Sequence, residues 1–151
     1  MDSALILNEV SIEGRTSVEL SKPATTGVVI SCSEELEFVL IDCKAGSNYT
    51  TLEFYVTNIG KSVKNLSLYG GGNSYAYDDL GNKYHGVDLA VAFSGEYYTT
   101  SSSSTKIPDG VMTRAFIRLS GVNAEAKEFT NMTIATNQGN SLVLKNVKIR
   151  K

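Results

Sequence analysis

Along most of this chain apolar and polar residues alternate one for one, the period at which successive side chains of an extended strand point to opposite faces of a sheet. The clearest run is Thr51-Leu52-Glu53-Phe54-Tyr55-Val56-Thr57-Asn58, which sends Leu52, Phe54 and Val56 one way and Thr51, Glu53, Tyr55 and Thr57 the other. The same alternation sets Leu36, Phe38 and Leu40 against Glu37 and Val39, Leu66 and Leu68 against Ser67 and Tyr69, and Met132 and Ile134 against Thr133 and Ala135. Leu142, Leu144, Val147 and Ile149 mark a last strand. From Val111 to Leu119 the facing is mixed: Val111, Ala115, Ile117 and Leu119 read as inward, which leaves Phe116 outside with Met112, Arg114 and Arg118. Strands that bury one face and wet the other belong to antiparallel sheets.

The segments between these runs carry turn chemistry. Asn58-Ile59-Gly60-Lys61, Gly70-Gly71-Gly72-Asn73, Asp79-Leu80-Gly81-Asn82 and Asn137-Gln138-Gly139-Asn140 all set Gly beside Asn or Asp, as hairpins that need φ > 0 require. Ile107-Pro108-Asp109-Gly110 reads as a turn entering the strand at Val111. Gly27 to Cys32 and Leu36 to Cys43 read as consecutive strands joined at Ser33-Glu34-Glu35. No segment of helical length has a 3.6-residue apolar period with a cap, although the short, Ala-rich stretch Val87 to Phe93 reads as a helical turn. Thr99 to Thr105 is nearly all Ser and Thr and reads as an exposed loop. Leu5, Leu7, Val10 and Ile12 suggest that residues 1–22 supply an edge strand plus a connection. The expectation is an all-β chain, one domain over residues 1–151, folded as an antiparallel two-sheet sandwich of about eight to ten strands.

Composition narrows the partners more than the fold. At 151 residues with 42% apolar content the chain has the length and hydrophobicity of one globular domain. A formal net charge of −2 leaves no basic field for a phosphate backbone, so nucleic acid is not expected as a partner. Lys145, Lys148, Arg150 and Lys151 form the one basic cluster and read as a solvated edge strand protected by its charge. No window reaches the roughly 18 apolar residues of a membrane helix, so no membrane span is expected. The first thirty residues show no signal-peptide pattern, and a signal peptide is expected to be absent from this chain.

Two cysteines, Cys32 and Cys43, bear on redox compartment. On the strand layout above they stand roughly 23 Å apart, at about 3.3 Å per residue. A disulfide needs Cα atoms within about 7 Å, so two unpaired thiols are expected. With a single histidine in the chain, they cannot form a tetrahedral Cys/His metal site either.

Candidate chemistry is sparse. His85 is the only imidazole available to a Ser or Cys nucleophile, it follows a turn, and no Gly-x-Ser-x-Gly elbow accompanies it. Glu34, Glu35 and Glu37, and Asp78 with Asp79, are the acidic clusters from which a glycosidase pair could be drawn, but both sit where solubilising or turn-forming acids belong. No catalytic residue and no cofactor is expected. Asp78, Asp79 and Asn82 offer oxygen ligands to calcium in a short loop, without the spacing of an EF-hand. The triple glycine at Gly70 has no following Lys-Ser or Lys-Thr and is not a phosphate loop. Tyr69, Tyr75, Tyr77, Tyr84, Tyr97 and Tyr98 crowd into thirty residues beside Gly and Asn, and rigid amphipathic rings next to flexible polar residues suit a recognition surface. Tyr69, Tyr75, Tyr77, Tyr97 and Tyr98 are therefore the expected contact residues for an unknown protein or glycan.

Taken in order, Leu52-Glu53-Phe54-Tyr55-Val56-Thr57-Asn58, the Asp78-Asp79-Leu80-Gly81-Asn82-Lys83-Tyr84 hairpin, Ile107-Pro108-Asp109-Gly110-Val111 and Asn146-Val147-Lys148-Ile149 span Phe38 to Ile149. This series resembles immunoglobulin-like β-sandwich domains of unknown function from secreted or lipid-anchored envelope proteins of bacteria, especially gut anaerobes. The resemblance implies an extracytoplasmic, non-catalytic binding or structural module, periplasmic, surface-bound or secreted. A carbohydrate-active enzyme, or a glycan-binding domain using the clustered Tyr and carboxylates, is the alternative. The chain departs from true immunoglobulin domains in lacking Trp and an inter-sheet disulfide.

Overall fold

The alternating runs become strands in a computed structural model that describes residues 23–151. Eleven strands are present among the described residues: β1 (Val28–Ile30), β2 (Leu36–Ala45), β3 (Tyr49–Asn58), β4 (Lys64–Tyr69), β5 (Gly71–Asp78), β6 (Lys83–Gly86), β7 (Leu89–Phe93), β8 (Ser102–Ile107), β9 (Met112–Ser120), β10 (Glu128–Ile134) and β11 (Leu142–Lys148). They form a five-stranded sheet ordered β1-β11-β10-β5-β6, a four-stranded sheet ordered β2-β3-β9-β7, and a β4-β8 ribbon. Every strand pair is antiparallel. The described residues thus make the expected all-β sandwich, and the edge strand expected within residues 1–22 lies outside them.

The inward face of each strand feeds one hydrophobic cluster between the sheets, in which Phe54, Phe93, Phe129, Leu52, Ile117 and Met132 are almost fully buried. Removing each such side chain from water contributes about 1.5–3 kcal/mol. Both open sides of the sandwich are laced by backbone. On one, Ala24 N–H donates to Ile41 O (2.7 Å) of β2 and Lys148 N–H of β11 donates to Thr26 O (3.0 Å), so the chain crosses from sheet to sheet before β1. Just beyond β11, Arg150 N–H donates to Cys43 O and Ala45 N–H to Arg150 O. On the other side, the ribbon leans on the five-stranded sheet through the Leu68–Thr136 bridge, while Thr99, just ahead of β8, bridges Val91 of the four-stranded sheet.

Inward parity holds as expected for Leu36, Phe38, Leu40, Leu52, Phe54, Val56, Leu66 and Leu68. Along the last strand the buried set changes phase, from Leu142 and Leu144 to Val147. The change coincides with Asn146, which adopts φ 53°, and facing β10 changes phase with it, from Phe129 to Met132, beside a bulge against β5.

Several expectations are corrected. Val87 to Phe93 is no helical turn: Leu89–Phe93 is β7, buried along its whole length. The Ser/Thr run is only in part a loop, because its second half is β8, paired with β4 and burying Ser103. Val111 is exposed and precedes β9, whereas Ala115, Ile117 and Leu119 point inward and Phe116 is a half-covered outer residue. Asp79–Asn82 and Asn137–Asn140 are hairpin turns, but Asn58–Lys61 carries the chain from the four-stranded sheet to the ribbon and Gly70–Asn73 from the ribbon to the five-stranded sheet. At the second crossing a Cβ on Gly71 would stand 1.8 Å from Gly86 O, so only glycine fits.

The Ser33-Glu34-Glu35 turn also joins different sheets, since β1 pairs with β11 and β2 with β3. Both cysteines are unpaired, as expected, and both are buried, although the layout that separates them is not a hairpin. The basic C-terminal cluster is not an edge strand, because β11 lies between β1 and β10. Three of its four charges are engaged: Lys148 with Glu128, Arg150 with Asp42 (2.6 Å), and Lys151 Nζ on the carbonyls of Ala124 and Ala126.

Candidate functional site

On the outer face of the four-stranded sheet, Arg118 of β9 lies between two aromatic rings. Its guanidinium carbon is 4.0 Å from the ring centre of Tyr49 and 4.1 Å from that of Tyr98, inside the range at which a cation is held by a ring face. Three local features assemble this stack. Strand parity sends Arg118 outward together with Arg114 and Phe116. Tyr49 opens β3 opposite Ser120, two positions along the ladder from Arg118. After β7 the chain turns at Ser94-Gly95, with Gly95 at φ 84°, and returns beside β7 through paired Val91–Thr99 hydrogen bonds of 2.9 and 3.0 Å. That return puts Tyr98 on the outer side with Ala90 and Ala92, whose small side chains are almost wholly covered.

The stack floors a groove of about 200 Å³ walled by Val87, Asp88, Ala90 and Thr100. Asp88 is fixed from two sides: its carbonyl accepts from Ser120 N–H (3.0 Å) and its Oδ1 from Ser120 Oγ–H (2.8 Å). Its other carboxylate oxygen receives no hydrogen bond from a described residue, and Arg118 makes neither a side-chain hydrogen bond nor an ion pair among them. Glu53, which helps set the charge around Tyr98, pairs with Arg114 at 3.3 Å. Burial raises the Tyr98 hydroxyl above its ordinary pKa, so the ring is neutral at physiological pH. The groove therefore offers two aromatic rings, and guanidinium donors and a carboxylate oxygen that no described residue engages.

The five tyrosines expected to share one surface are divided. Tyr98 is in this groove, and Tyr97 beside it is almost fully exposed, at 95%. Tyr75 and Tyr77 stand on the outer face of the five-stranded sheet, 5.9 Å apart edge to face, with the Lys83 ammonium 5.3 and 5.8 Å from their ring centres. The core lies between that face and the Arg118 groove. Tyr69 is half-buried on the ribbon. Tyr84 is a core residue, its hydroxyl donating to Asp78 Oδ2 (2.7 Å) and accepting from Asn123 N–H (3.0 Å).

Sequence reasoning missed Tyr49 and Arg118. The outward facing of Arg118 was readable from its strand, but nothing local links it to a tyrosine 69 positions earlier, 118 minus 49.

The acidic candidates serve the framework. Asp78 accepts from Leu80 N–H, Asn82 N–H, Asn82 Nδ2–H and Tyr84 O–H, all at 2.7–2.9 Å, and Asp79 Oδ1 accepts from Lys127 N–H (2.9 Å). These bonds take up both carboxylate oxygens of Asp78 and one of Asp79. Among the described residues no three His, Cys, Asp or Glu side chains gather to hold a metal. Glu35 pairs with Lys64, and His85 is exposed on β6. Among the described residues no helix is long and apolar enough to cross a membrane.

Compared with known proteins, the chain matches no family model, no curated protein and no solved structure.

Proposed function

We propose that this chain is a non-catalytic binding module of a bacterial cell envelope, an immunoglobulin-like sandwich that meets its partner at the Arg118 groove. The observation that carries the reading is the Tyr49–Arg118–Tyr98 cluster, in which a guanidinium sits over two aromatic rings while its N–H groups find no acceptor among the described residues. Such an arrangement holds a charged donor array in place before a ligand arrives, which lowers the ordering cost of binding. The envelope setting is supported by the resemblance of the ordered segments from Phe38 to Ile149. An enzymatic role receives no support from Asp78, both of whose carboxylate oxygens are engaged within the fold.

The test is retention on saccharide and peptide libraries by the wild type and by Tyr98→Ala, Arg118→Ala and Tyr77→Ala. Loss of retention in the first two variants with none in the third is expected. Loss confined to Tyr77→Ala moves the contact to the other sheet and overturns the groove, and no retention by the wild type overturns the binding role itself.

A further inference from the structure

Resting on that reading, we infer that the groove takes one ring of a neutral saccharide, with neighbouring hydroxyls accepting from Arg118 and donating to Asp88. The argument starts from what the groove leaves unsatisfied. Arg118 has five N–H donors and no acceptor capacity, and its edge finds no acceptor among the described residues. Asp88 is acceptor-only when ionised, and Ser120 engages one oxygen and leaves the other open. A ligand completing the site must both accept and donate within this one groove. An adjacent pair of hydroxyls does both.

Charge decides against an anion. Within and beside the groove, Arg118 and Arg114 are matched by Asp88 and Glu53, so a carboxylate or phosphate drawn to Arg118 meets Asp88 on the same wall. A neutral polyol incurs no such repulsion. The volume, about 200 Å³, is below the ~300–1,000 Å³ of drug-sized pockets and suits a single ring or chain end. The Tyr49 and Tyr98 rings and the exposed Val87 side chain give the C–H face of a sugar apolar surface to lie against.

An extended peptide would satisfy the same polar groups, but extended peptides are held chiefly by pairing to an exposed strand edge. The edge nearest the groove, β7, is already paired with Thr99 through both of Val91's backbone groups. The saccharide is therefore the better fit.

The experiment is calorimetric titration of the full chain with three panels: neutral oligosaccharides, the same sugars carrying uronic acids, and neutral peptides. Binding is expected from the neutral sugars, insensitive to ionic strength, and lost when the contacting hydroxyls are methylated. Arg118→Ala and Asp88→Ala should each weaken it at least about tenfold. Arg118→Lys, which keeps the charge without the planar fork, should restore little, provided all variants melt with the wild type. Preference for acidic sugars with tighter binding by Asp88→Asn, or binding of peptides alone, overturns the saccharide while leaving the groove as a binding site. No titration with any panel overturns the binding role as well.

Discussion

Asp78 shows how one buried side chain organises a turn and makes stability depend on pH. Burial pulls its pKa up, but hydrogen bonds from Tyr84, Asn82 and the Leu80 backbone outweigh it, and the net position is below the ordinary carboxylate value. A group depressed in the folded state contributes its full stability above the unfolded pKa of about 3.9 and loses it as pH falls through the folded pKa. Asp78→Asn should therefore lower stability at neutral pH by about 1–3 kcal/mol. It should also flatten the decline below about pH 4. Urea titrations at several pH values check both, and an unchanged acid slope would refute the assignment. The cysteines are a second case at this scale. Burial, and next the neighbouring Asp42 charge, push the Cys43 thiol up to about 12, and burial raises Cys32. Neither thiol should react with a thiol reagent in folded protein at pH 8, and two equivalents should react on unfolding without reductant. Zero equivalents after unfolding would mean a disulfide.

At the scale of elements, the contact between Gly71 of β5 and Gly86 of β6 is the least forgiving join in the fold. Any side chain at Gly71 enters the Gly86 backbone, which cannot rotate away as a side chain would, while a Cβ at Gly72 meets open space. Gly71→Ala should cost about 3 kcal/mol or more. Gly72→Ala should stay within about 0.5 kcal/mol of wild type. Equal denaturation midpoints would contradict the close approach. The elements differ in how plainly the sequence announced them. β3 was legible because one face is core and the other carries polar or half-buried side chains apart from the covered Tyr55, so Leu52, Phe54 and Val56 stand out from their neighbours. β7 was not: Ala90 and Ala92 are covered on the outer face, the alternation disappears, and a short apolar run with alanines reads equally as a helix. β8 hid for the opposite reason, since Ser103 and Ile107 are its only buried positions and a hydroxyl run carries no apolar period. Of the groove, Tyr98 was legible from the tyrosine crowding. Arg118 and Tyr49 were not, because strand pairing across 69 positions, 118 minus 49, brings them together.

For the whole molecule, the position of β11 matters most. The last strand in sequence is an interior strand of the five-stranded sheet, flanked by β1 and β10, with Val28 paired to Lys145. During synthesis, β1 therefore has no neighbour in its sheet among the described residues until those beyond Leu142 leave the ribosome. Pairings between distant parts of a chain form late because the intervening loop must first be closed. A nascent chain stalled at about residue 140 should remain open to protease, and one extended past residue 151 by a linker as long as the exit tunnel should become resistant in a single step. Graded protection as β2 to β9 emerge would show instead that the four-stranded sheet folds alone. If the single step is found, the domain acquires its shape only after translation has passed it, and until then it presents unpaired strand edges to whatever holds or exports the growing polypeptide.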